Sequence, residues 1–141
     1  MNRAGDEVKR VEDGEPGRAD VEELARQAFA RLPERFKRHL GSVVIRVEDF
    51  PDRDTQAALR LASPFDLLGL YRGVALPYKS VSDPYPDIDM IFLYRQPILA
   101  YCRAVGEDLA RVVRHVLIHE IGHHFGFSDH DMARIESGDR G

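Results

Sequence analysis

The chain has 141 residues, a net charge of −4 and a single cysteine, with 43% hydrophobic and 31% charged residues. That length favours one domain, large enough to bury a core without disulfides or other staples, and Cys102 alone excludes an internal disulfide. The acidic balance argues against a nucleic-acid footprint, which needs a basic face, and neither a signal-peptide core nor a run of about 18 apolar residues occurs. The expectation is a soluble, cytoplasmic monomer with no nucleic-acid or membrane partner.

Residues 1–19 are polar, mixed in charge and rich in Gly and Pro. They are read as a flexible tail, because too little apolar surface is present to offset ordering. The domain is expected over 20–141. Val21, Leu24, Ala25, Ala28, Phe29 and Leu32 form one apolar helical stripe, with Asp20 as cap and Glu23 completing a capping box. Pro33 interrupts this helix. The β-branched run from Ser42 to Val47 predicts a strand, and a short helix is expected from Thr55 to Leu61. Leu68 to Val74 reads as an edge or irregular strand, weakened by Gly69 and Gly73. Residues 77–88 read as a loop and Met90 to Tyr94 as a short strand. Pro97 suits the first turn of a helix reaching Ala104. A last helix is expected from Glu107 and Asp108, whose charges complement its dipole, to about Phe125.

That last helix carries the chemistry. His119, Glu120 and His123 form H-E-x-x-H. On a helix, positions i and i+4 share one side, so two imidazoles can aim at one point. Zinc takes nitrogen ligands at about 2.0–2.1 Å in tetrahedral geometry. Glu120 is rotated about 100° from His119 at 3.6 residues per turn, which places it beside the pair and against a metal-bound water. Val112, Val113, Val116, Leu117, Ile118 and Ile121 surround the motif, so its polar groups are partly buried and need partners. Gly126 is placed to end the helix in a left-handed residue and turn the chain back. Asp129 is then the first carboxylate to arrive, giving H-E-x-x-H-x-x-G-x-x-D, the metzincin spacing with Asp in place of the third His. Asp129 is the first choice for third ligand and His130 the second, and Asp131 also follows. His115 is read as a satisfied core histidine, with a pocket-wall or ligand-supporting group as the alternative, and His124 as a substrate-side or surface residue. Cys102 is read as a small buried hydrophobe.

The segments Asp66 to Val74, Ile91 to Leu99 and Val116 to Asp129 together resemble the small bacterial zincin-like metallopeptidase family. The resemblance implies an α+β minimal zincin-like fold, with a small twisted mixed sheet packed on the active-site helix and flanking helices. It also implies Zn2+ on His119, His123 and Asp129, with Glu120 catalytic. The placement of His130 and Asp131 directly after Asp129 departs from the family pattern and bears on the third ligand.

The expected activity is peptide-bond hydrolysis by a zinc-activated water, with Glu120 as general base. Tyr71, Arg72, Tyr94, His124 and His130 are candidate donors to the oxyanion. Tyr71 and Arg72 are the expected substrate-binding residues, since the glycines on either side suggest close backbone approach, and a peptide can add as a strand along Leu68 to Val74. Two alternatives are carried. One is a zinc-dependent endoribonuclease-like hydrolase, similar to the bacterial rRNA-maturation enzymes, whose Gly-Tyr-Asp-His turn is one residue shorter than the segment from Gly126 to His130. The other is a non-catalytic zinc-binding module, which would have no use for Glu120.

Overall fold

The computed structural model describes residues 15–38, 40, 43–73, 89–126 and 130. In chain order the elements are α1 (Arg18–Ala30), α2 (Glu34–Lys37), β1 (Val44–Glu48), α3 (Arg53–Ala58), a 3-10 turn (Pro64–Asp66), β2 (Gly69–Arg72), β3 (Met90–Tyr94), α4 (Arg95–Val105) and α5 (Leu109–Phe125). This is an α+β fold with a small mixed sheet.

The sheet order is β1-β3-β2. β3 pairs parallel with β1, Ile45 facing Ile91 and Val47 facing Leu93. It pairs antiparallel with β2, Gly69 facing Leu93 and Tyr71 facing Ile91. Side chains alternate across a sheet, so Ile45, Val47, Gly69, Tyr71, Ile91 and Leu93 share one face. Ile91 and Leu93 are completely buried there. Against this face lie α1, through Val21, Ala25 and Ala28, and α5, through Val113, Val116, Leu117 and Ile121, in one continuous core. The opposite face carries Leu70, Phe92 and Arg72. The Arg72 guanidinium lies 4.9 Å above the Phe92 ring and reaches Thr55 Oγ1 at 3.2 Å.

The apolar stripe of α1 packs as the periodicity predicts, but the helix starts at Arg18 instead of Asp20. Asp20 sits in the first turn and accepts from the Gly17 N–H at 2.7 Å, so its carboxylate closes the turn from inside the helix. Glu23 is not its capping partner and bonds Arg26 and Gln27 instead. The first described residues are tied to α4. Arg95 bonds Asp49 Oδ1 and the Pro16 carbonyl, each at 2.7 Å. β1 is shifted two residues from the expected start and ends at Glu48, and α3 begins at Arg53 because Asp52 caps it through the Thr55 N–H. β2 occupies the interior of the expected strand, and β3, α4 and α5 fall where the sequence puts them. The expected tail lies outside the described residues up to residue 14, as does the 77–88 loop. Among the described residues, no helix is long and apolar enough to cross a membrane.

Candidate metal centre

α5 is positioned by its caps and its apolar side. Asp108 accepts from the Arg111 N–H at 3.3 Å, closing the N-terminus. At the other end Gly126 adopts φ +74°, where a side chain would be strained, and its N–H bonds the carbonyls of Gly122 and His123. Between the caps, Val112, Val113, Val116, Leu117, Ile118 and Ile121 are all buried. Burying that stripe fixes the rotation of the helix and brings Glu120 against Gly69 of the strand β2.

The three side chains meet. One ligand atom from each of His119, Glu120 and His123 lies within 4.8 Å of the other two. The two imidazole centroids are also 4.8 Å apart, at an interplanar angle of 66°, and His123 Nδ1 is 3.2 Å from Glu120 Oε1. The His123 side chain is 48% exposed and that of Glu120 only 7%, so the cluster opens to solvent at its imidazole rim and is closed at its carboxylate.

Close approach of β2 provides that closure. A Cβ on Gly69 would stand 2.5 Å from Val116 Cγ1, 3.1 Å from the Phe92 carbonyl oxygen and 3.4 Å from Glu120 Cγ, so only glycine lets the strand lie this near the helix. The main chain of Tyr71 on that strand lies on the side of the Glu120 carboxylate. Burial pushes the Glu120 carboxyl above its ordinary value, and His119 and the Tyr71 main chain oppose that shift.

Two imidazole nitrogens and a carboxylate, half-sheltered and convergent, form a donor set suited to zinc. Asp129, the expected third ligand, lies outside the described residues. His130 is described and exposed, and it is not among the residues whose ligand atoms converge.

The remaining histidines differ from expectation. His115 is exposed, not a core residue. It stands one turn before His119, with ring centroids 6.5 Å apart, and lines a cavity of about 320 Å³ with Leu68, Tyr101 and Val112. His124 is neither substrate-side nor superficial. It is 1% exposed, with Nδ1 3.2 Å from Asp89 Oδ2 and 3.2 Å from the Tyr71 hydroxyl. Its position on α5, about 100° from His123, faces the sheet and not the solvent. Tyr71 therefore directs its hydroxyl into the protein, and Arg72 lies on the sheet face away from α5. Tyr94 is 2% exposed, and burial pushes its hydroxyl up to about 12. Cys102 is partly buried against the core. Asp89 was not visible as a site residue. A single Asp before an apolar strand reads as a turn residue, and its partner His124 is 35 positions away.

No curated protein matches the chain. The family model described as zincin-like metallopeptidase matches residues 40–139, which cover the sheet, α4 and the whole of α5. The convergence of His119, Glu120 and His123 on one side of α5 agrees with zinc binding, which the family implies, and over most of its length the chain belongs to the zincin-like metallopeptidase family.

Proposed function

We propose that the protein is a zinc-dependent peptidase, with His119, His123 and Asp129 holding the metal and Glu120 acting as general base. The observation that carries this reading is the placement of Glu120, whose carboxylate shares a half-sheltered cluster with both imidazoles. A structural metal site needs no such carboxylate beside its ligands. When bound, zinc supplies Lewis-acid chemistry. Glu120 takes the proton of the attacking water on a carboxylate oxygen and returns it to the leaving amine nitrogen. Partial burial favours such proton traffic, because a raised carboxyl pKa lies nearer the working pH.

A peptide is the substrate class that suits β2. Among the described residues this strand pairs only with β3, leaving its other side available for an added extended chain. The bond from the Tyr94 N–H to the Leu68 carbonyl fixes the ladder's phase. In an antiparallel pair, alternate residues direct their main-chain groups outward, and here those residues are Gly69 and Tyr71. Tyr71 enters the proposal through its main chain, and Arg72 has no part in it.

The test is metal content together with cleavage of a peptide library by the parent and by Glu120→Gln. The expected result is about one zinc per chain in both proteins, with cleavage by the parent alone. A protein that takes up no metal in zinc-replete buffer, or a Glu120→Gln variant as active as the parent, ends this reading.

A further inference from the structure

Beside the candidate metal centre lies a cavity to which the peptidase reading gives no role. Its volume is about 320 Å³, and it is lined by Leu68, Tyr101, Glu107, Arg111, Val112 and His115. That volume falls at the lower end of the range of small-molecule sites, about 300–1,000 Å³. Three parts of the chain build it. α4 ends at Gly106, whose φ of +70° lets the chain reverse. The N–H groups of Gly106 and Glu107 both bond the Cys102 carbonyl, at 2.9 and 3.1 Å. After this turn the cavity takes one wall from Tyr101 on α4 and another from Arg111, Val112 and His115 on α5. Leu68 supplies the third wall and is held in place by its carbonyl, which accepts from the Tyr94 N–H at 2.9 Å.

Two of these walls run into the metal centre. His115 stands one turn before His119, their rings at an interplanar angle of 26° with centroids 6.5 Å apart. Leu68 directly precedes Gly69, where a Cβ would stand 3.4 Å from Glu120 Cγ. Successive Cα atoms of a peptide are about 3.8 Å apart. A chain cut at the cluster therefore has a residue flanking the cut within reach of the cavity.

The lining decides what fits there. Leu68 and Val112 are branched and apolar, and Tyr101 and His115 are rings. Tyr101 is 45% exposed, so much of its ring surface remains for a ligand. Glu107 Oε1 lies 3.4 Å from Arg111 Nε, and these two charges answer each other. A charged side chain would have to disturb that pair, whereas an apolar one gains by leaving water. Against two rings, an aromatic group adds edge-to-face or offset stacking to its burial.

Resting on the peptidase reading, we propose that this cavity is a substrate subsite that takes an aromatic side chain next to the bond cut, with Tyr101 and His115 as its specificity-determining residues. Neither residue touches the reacting atoms. Their effect falls on which peptides are cut, and so on the ratio of kcat/KM between peptides that differ at one position.

Two arms test this on the full chain loaded with zinc. The first needs no turnover. N-acetylphenylalanine amide is titrated while NMR follows the Tyr101 and His115 rings and the Leu68 methyls, with N-acetylalanine amide as control. Saturable shifts at these groups are expected with the phenylalanine probe, at least about tenfold weaker binding of the alanine probe, and loss of the difference in Tyr101→Ala. Tyr101 lies on the exposed side of α4 and outside the metal cluster, so this variant is expected to keep its fold and its zinc. An equal response to both probes, or shifts confined to other parts of the protein, overturns the proposal. The second arm reads cleavage of peptides that differ at a single position. One position next to the cut is expected to favour Phe over Ala by about tenfold or more in kcat/KM, and the ratio to fall within about threefold in Tyr101→Ala and in His115→Ala. A preference there for an acidic or basic residue, or a ratio unchanged in both variants, overturns the proposal. If the parent cleaves no peptide, the peptidase reading fails and the probe arm still decides whether the cavity takes an aromatic group.

Discussion

The place of a side chain at Gly69 is taken by Val116, whose Cγ1 would stand 2.5 Å from a Cβ there. This contact sets the distance between β2 and α5, and so how near the strand lies to Glu120. Val116 is 5% exposed and held by the core, so it cannot move aside cheaply. Gly69→Ala is expected to destabilise the protein by about 1–3 kcal/mol, the usual range for overpacking. Activity should fall further than stability, since the strand would be displaced from Glu120. Thermal unfolding and peptide cleavage, measured on the same preparation below the transition, separate the two effects. A Gly69→Ala protein with unchanged melting temperature would mean that the strand and helix have slack.

Burial raises the Glu120 carboxyl above the ordinary value of 4.5, which makes a statement about stability as a function of pH. A group whose folded-state pKa lies above its unfolded value favours folding while protonated. That contribution is complete below about 4.5, the unfolded value, and disappears as pH rises through the raised folded value. Glu120→Gln removes this titrating group, so the metal-free variant is spared the cost of ionising a buried carboxyl as pH rises. Metal-free Glu120→Gln is expected to melt a few degrees above the metal-free parent at pH 7, the shift typical of about 1 kcal/mol. The difference should close as pH falls toward 4.5. Calorimetry in chelator across this range checks the sign, and a variant that melts lower at pH 7 would mean the charged form is the favoured one.

The legible parts of this fold are those where one periodicity dominates. Val21, Ala25 and Ala28 repeat along one side of a helix, and that side is the one buried. α5 was legible at both ends, because Asp108 and Gly126 are cap residues with distinct local chemistry. Its metal cluster was legible because i, i+4 geometry needs no tertiary information. The misread residues depend on distant partners. His115 stands exposed although it shares the His119 side of an apolar helix, and His124 is buried because Asp89 and Tyr71, both remote in sequence, meet it. The start of α1 was misplaced because Asp can close a first turn from the cap or from inside it, and only the chain path decides. The glycines around β2 suggested close backbone approach, and the strand does come against the helix at Gly69 and against Asp89 at Gly73.

The third ligand separates two neighbouring residues. His130 is exposed and stands outside the cluster of His119, Glu120 and His123. Asp129 is proposed from its spacing in the sequence, three residues after Gly126. Even partners of ligands change metal affinity by about 10–100-fold when removed, so loss of a ligand should cost at least that. Asp129→Ala is expected to weaken zinc binding by more than about 100-fold and His130→Ala by less than about tenfold. Competition with a chromophoric chelator gives both numbers. The opposite ranking would transfer the role to His130.

Glu120→Gln also decides between a peptidase and a zinc module without turnover. Gln preserves the shape and an acceptor oxygen but cannot take a proton, so the metal should remain and KM should change little. A positioned general base contributes about 10²–10⁴-fold, and kcat for peptide cleavage is expected to fall within that range. The same preparation should be offered a structured RNA, since an endoribonuclease-like site would cleave it and a peptidase would not. Cleavage of peptide by the parent, lost in Glu120→Gln with zinc retained, assigns the proton transfer to this carboxylate. Zinc bound by both proteins with neither peptide nor RNA cleaved would leave a metal-binding domain, with Glu120 as a buried carboxyl beside His119 and His123.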